Sequence, residues 1–199
     1  CTNPNECHTS TGGAIRFSRL SSKSEGVGPN PMTRIVFFGT PEPAAKALRA
    51  LVKDGHEVCA VFTRPDRISG RSRKPRPTLV NEAAVELGLP VHTPSGLRDD
   101  DVLSQLAGTQ ADIYVVLAYG RILPTEILAL PALGVLNVHP SLLPLYRGPS
   151  PVVTAIRDGA SETGVSVMLL DEGMDTGPVI AQSASVPITE SDTAESLTD

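Results

Sequence analysis

Asn137 and His139 stand two residues apart at the end of Val135-Leu-Asn-Val-His139, a short apolar run rich in β-branched residues. The run empties into a loop holding Pro140, Pro144, Pro149 and Pro151. Alternation along a strand sends residues i and i+2 to the same side. A carboxamide and an imidazole therefore meet at the carboxyl end of a strand, where open α/β sheets place their ligands. Each proline fixes its own φ and restricts the residue before it, so the loop reads as a stiff wall. Taken alone, an Asn-x-His pair is better explained by a hydrogen-bonded core histidine. A second stretch shifts the balance. Leu170-Asp-Glu-Gly-Met-Asp-Thr-Gly-Pro178 follows the next predicted strand and can bring Asp171, Glu172 or Asp175 to the same edge.

A third stretch carries charge. Between Arg64 and Arg76 lie Arg67, Arg71, Arg73 and Lys74, with Asp66 the one acid, in a chain whose net charge is −5. Such a run is usually a solvated loop. This one follows the carboxyl end of a predicted strand and is long for a connection of that kind. Arg64, Arg67, Arg71, Arg73 and Lys74 there can neutralise phosphates, each contact adding salt dependence.

The elements that must hold these residues alternate. Arg34-Ile-Val-Phe-Phe-Gly39 is a continuous apolar run ending in glycine, as expected of a parallel strand buried on both faces. Thr40 is placed to cap the following helix, with Pro41 at its first position, and Gly55 to close it. Glu57–Thr63 reads as a strand, residues 81–87 as a helix, Val91-His92 as a short strand and residues 99–106 as a helix. Then come a strand over 112–118, a helix over 124–130, the strand 135–139, and a helix over 151–158 with Ser150 as cap. Residues 164–170 and 179–186 read as strands, antiparallel because only the acidic turn joins them. Asp192-Thr-Ala-Glu195 has the form of a capping box. This order predicts an α/β fold: a Rossmann-like, mostly parallel sheet with helices on both faces.

The 199 residues suffice for a domain with a real core, and no apolar run approaches the ~20 residues of a membrane span. Three irregularly spaced cysteines make no disulfide framework, and Cys1, Cys7 and His8 lack a fourth ligand for zinc, so no metal is expected. Residues 1–31, rich in Ser, Gly, Pro and Asn, read as a disordered leader, with Met32 as the expected native start. A dinucleotide-binding oxidoreductase is disfavoured. Gly39-Thr-Pro-Glu-Pro has one glycine where that fingerprint needs three, and Pro41 removes a phosphate-binding N–H.

Asn-Val-His-Pro-Ser-Leu-Leu-Pro with Tyr-Arg-Gly, and later Met-Asp-Thr-Gly-Pro, resembles the folate-dependent formyltransferases. Within them the chain is most similar to the members that formylate methionyl-initiator tRNA in the cytoplasm. The match runs from about Met32 to the last residue. The resemblance implies 10-formyltetrahydrofolate as co-substrate, and a monomer is expected. It also implies that residues 32–199 are an incomplete catalytic domain, followed in the family by a small β-barrel.

Attack of an amine on a formamide builds a negatively charged oxygen, for which Asn137 and a ring N–H of His139 are donors. Asp175 would charge and fix His139 or order a relay water. Asp171 and Glu172 are its rivals on the same turn, and the family's pattern selects Asp175. Ser141, Leu142, Leu143 and Pro144 resemble the loop lining the folate site, offering apolar surface and backbone hydrogen bonds, with Tyr119 and Arg121 at its edge. The basic loop resembles the one that grips the tRNA acceptor stem, Gly70-Arg71 matching its Gly-Arg step. The alternative within the family is a formyltransferase acting on a nucleotide-linked small amine.

Overall fold

A computed structural model describes residues 33–68 and 75–198. The expected leader, residues 1–31, lies outside them. In chain order the elements begin with β1 (Arg34–Gly39), α1 (Glu42–Lys53), β2 (Glu57–Phe62), β3 (Arg67–Ile68), β4 (Pro75–Arg76) and α2 (Leu79–Glu86). They continue with β5 (Val91–His92), α3 (Asp100–Gly108), β6 (Ile113–Leu117), α4 (Thr125–Leu128) and β7 (Val135–His139). Last come α5 (Pro151–Arg157), β8 (Glu162–Thr163), β9 (Ser166–Leu169), β10 (Val179–Gln182) and β11 (Val186–Pro187).

Seven strands form one sheet in the order β10-β9-β7-β6-β1-β2-β5. The five from β5 to β7 are parallel. Beyond them β9 runs antiparallel to β7, and β10 antiparallel to β9. The pleat of β1 divides the core between the two faces. Val36 and Phe38 pack with Val102 and Leu106 of α3 and Ile127 of α4. Phe37, between them, packs with Ala44 and Leu48 of α1 and Val80 of α2. All three β1 side chains are fully buried. Each such burial is worth roughly 1.5–3 kcal/mol, which fixes the register of the strand that organises the rest. The expectation of a mostly parallel sheet with helices on both faces holds.

The chain winds outward from β1 through β2 to β5, then returns to the other side of β1 with β6. At that reversal Gly39 is required by space, since a Cβ there would lie 2.7 Å from the Ala44 Cβ and 3.2 Å from the Leu117 carbonyl oxygen. Thr40 does not cap α1. Pro41 holds the cap position, and the Thr40 hydroxyl donates to the Tyr119 carbonyl at 2.9 Å, tying the ends of β1 and β6 together. The helix expected from Asn81 starts two residues earlier because Thr78 caps it, accepting from the Asn81 N–H at 3.1 Å. Ser150 occupies the cap position of α5 but makes no side-chain cap bond. The box expected over 192–195 falls one residue later, in the reciprocal bonds of Thr193 and Ser196, on a turn.

Candidate active site

Asn137 and His139 project from β7 as the alternation requires, and the side chain of His139 is only 5% exposed. Its Nε2 lies 2.9 Å from the Tyr146 carbonyl oxygen. A carbonyl can only accept, so Nε2 carries a proton and donates it. Nδ1 therefore faces Asp175, with Oδ2 at 3.7 Å. This arrangement refines the expected donor. The Nε2 proton is already committed to Tyr146, so a ring N–H at Nδ1 exists only when the imidazole takes a second proton, beside a carboxylate placed to stabilise it.

Asp175 is held from two sides. Gly148 donates its backbone N–H to Oδ2 at 2.8 Å, and the Asn137 amide donates to Oδ1 at 3.5 Å. Asp175 has φ 51° and Tyr146 φ 55°, the left-handed region that non-glycine residues seldom occupy. The two residues that touch the imidazole thus share an uncommon backbone state, and aspartate is among the side chains that tolerate it best.

The route of Asp175 to this place is indirect. In antiparallel register Ser166 lies opposite His139 and Leu169 opposite Leu136, so β9 runs away from the histidine. Leu170 still donates to Val135, at the far end of β7. From there the turn doubles back along β7 to set its carboxylate against Asn137 and His139. Gly177 permits the crossing, because a Cβ on it would fall 1.9 Å from the Leu169 carbonyl oxygen. Asp171 shapes the turn instead of entering the site. Its Oδ1 accepts from the Gly173 N–H at 3.0 Å and the Thr176 hydroxyl at 2.7 Å. Glu172 is exposed.

Ser141–Pro144 adjoins the trio, but its polar groups largely face inward. The Ser141 hydroxyl donates to the Leu145 carbonyl at 2.7 Å. The Ser166 hydroxyl donates to the Ser141 carbonyl at 2.6 Å and accepts the Leu143 N–H at 3.0 Å. Gln182 donates its side-chain amide to the Leu143 carbonyl at 2.9 Å and to the Ser166 oxygen at the same distance. The loop is a bolted wall, with the Pro144 ring exposed and Leu142 half-buried.

Tyr119 is buried in edge contact with Phe38, and its hydroxyl has no hydrogen-bond partner among the described residues. Burial pushes its pKa up, with the charges of Arg121 and Arg64 opposing. Arg121 donates to the Pro94 carbonyl at 2.9 Å, and Arg64 to that of Gly120 at 3.5 Å. Arg71, Arg73 and Lys74, with the Gly70-Arg71 step, lie outside the described residues, and Arg67 contributes the backbone of β3. Tyr146 and Gly148 escaped the sequence reading. Tyr-Arg-Gly was visible as a motif, but a carbonyl and an N–H leave no side-chain signal.

A five-stranded parallel core gathers an amide, an imidazole and a carboxylate along one strand of an α/β fold, an arrangement that suits acyl transfer without a covalent nucleophile. Residues 33–199 match the family model described as formyl transferase, and the chain belongs to that family. It is 49% identical over 166 residues to a methionyl-tRNA formyltransferase of Ectopseudomonas mendocina (strain ymp), covering 83% of this chain and 52% of that protein. To the methionyl-tRNA formyltransferase of Roseiflexus sp. (strain RS-1) it is 52% identical over 156 residues, 78% of this chain and 48% of that one. The chain thus spans about half the length of the curated relatives it matches. Among solved structures it is similar to a phosphoribosylglycinamide formyltransferase from Bacillus halodurans, with TM-score 0.69 and 30% identity over 83% of this chain and 86% of that one.

Proposed function

We propose that the protein transfers a formyl group from 10-formyltetrahydrofolate to the amino group of methionyl-initiator tRNA. The observation that carries the chemistry is the meeting of Asn137, His139 and Asp175. The Asn137 amide and a doubly protonated His139 supply the donors for the oxygen of the tetrahedral intermediate. Asp175, fixed by the Gly148 N–H, holds that second proton on the ring or orders the water that carries the amine's proton toward the leaving nitrogen. Support for an RNA-linked amine comes from the relatives of about 50% identity and from the arginines at the root of the basic loop.

Ser141–Pro144 serves the folate side as a wall, holding shape through Ser166 and Gln182 while its backbone polar groups stay paired. The test is a formylation assay on the full-length protein with charged initiator tRNA, glycinamide ribonucleotide and 10-formyltetrahydrofolate. Formyl-methionyl-tRNA is the expected product. Formylation of the ribonucleotide alone would favour the second reading, a small-nucleotide formyltransferase, which the likeness to the solved structures keeps in play.

A further inference from the structure

At the root of the basic loop, away from the trio, lies a cavity of about 340 Å3 with Arg64 and Arg76 among its lining residues. Thr40 at the end of β1, and Thr78 and Leu79 at the amino end of α2, form other parts of its wall. The wall is firm. The Thr63 and Thr78 hydroxyls share a 2.7 Å bond, and Thr40 is tied to Tyr119. Among the described residues no carboxylate lines the cavity and neither arginine is in a salt bridge. Among the described residues the buried Nε of Arg64 has no partner, while one Nη reaches the Gly120 carbonyl only at 3.5 Å. A buried guanidinium N–H left unpaired is costly, and two cations beside the positive end of a helix form a site short of negative charge.

The cavity's place in the sheet limits what can bring that charge. The cavity lies beyond the ends of β1 and β2, where Thr40 and Arg64 follow, the trio lies on β7, and β6 stands between them. Two to three inter-strand steps amount to roughly 10–14 Å, the reach of the last one or two nucleotides behind an aminoacyl ester. We infer that this cavity binds a phosphodiester at the 3′ end of the aminoacylated RNA, with Arg64 and Arg76 neutralising it. The inference rests on the RNA reading above. It assigns these two arginines to the single-stranded end, apart from Arg71, Arg73 and Lys74.

The test measures binding of intact initiator tRNA, and of the same tRNA trimmed of its two 3′-terminal nucleotides, to the full-length protein and to its Arg64→Gln, Arg76→Gln and double variants. For intact tRNA the double variant should bind roughly tenfold more weakly, with a log–log salt slope shallower by about 0.7 for one single-strand phosphate. With trimmed tRNA the wild-type and variant affinities should coincide. Arg76 is exposed, so Arg76→Gln keeps the test valid even if Arg64→Gln disturbs folding. An unchanged slope with intact tRNA, or an equal loss with trimmed tRNA, would overturn the inference while leaving the RNA reading standing. Failure of the wild-type protein to bind tRNA would remove both. A raised KM for glycinamide ribonucleotide, with tRNA binding intact, would give the cavity to a small nucleotide's phosphate instead.

Discussion

The imidazole of His139 has one nitrogen committed to a backbone carbonyl and the other turned to a carboxylate. Two-bond proton–nitrogen correlation spectra should therefore show Nε2 protonated in the wild-type protein and still protonated in Asp175→Asn, since Tyr146 rather than Asp175 sets that tautomer. A neutral ring protonated at Nδ1 and bare at Nε2 would refute the assignment. Asparagine tolerates the left-handed backbone as aspartate does, so Asp175→Asn removes charge with little change in shape. Its kcat should fall on the order of 100-fold or more, as should that of His139→Ala, with tRNA affinity nearly unchanged. A parallel loss of tRNA affinity would mean that the trio binds rather than reacts.

At the scale of the elements, the wall beside the trio depends on β9 and β10. Ser166→Ala would leave the Ser141 carbonyl and the Leu143 N–H without their partner, a loss of about 1–3 kcal/mol in denaturant unfolding. Gly177→Ala should cost more and should lower kcat as well, because the crossing backbone must move and Asp175 moves with it. If Gly177→Ala were neutral in both, the turn would be looser than described. This is also the scale at which the sequence was most and least informative. The apolar run of β1, the β7 alternation and the antiparallel pair after it were legible, because each is a local pattern of burial. The return of the 170–178 turn along β7 was not. It follows from the direction of β9, a non-local pairing that leaves no period in the chain. Thr40 misled for a related reason: its hydroxyl found a carbonyl 79 residues away in place of the helix beside it.

For the whole molecule, the two-faced core sets how stability responds to alkali. Tyr114, on the face covered by α3, is 1% exposed, and burial raises its pKa to about 12. Between the ordinary tyrosine value near 10 and that value, the unfolded chain has released a proton that the folded chain retains. Stability contributed by the neutral phenol is thus full below about pH 10 and declines up to about pH 12, by roughly 2–3 kcal/mol. Tyr114→Phe should flatten this part of the pH profile relative to wild type. An identical decline in the variant would place the cause elsewhere.

The turn that doubles back from β9 also behaves as a ruler. It must travel from Leu170, beside Val135, to a point where one carboxylate meets both Asn137 and His139. One residue of extended chain measures about 3.3–3.6 Å, close to the whole gap between Asp175 and the imidazole. Removing Glu172 would therefore shift the carboxylate by about as much as its contact allows, although that residue is exposed and makes no bond in the site. The composition of this turn can vary at its outer face; its count cannot.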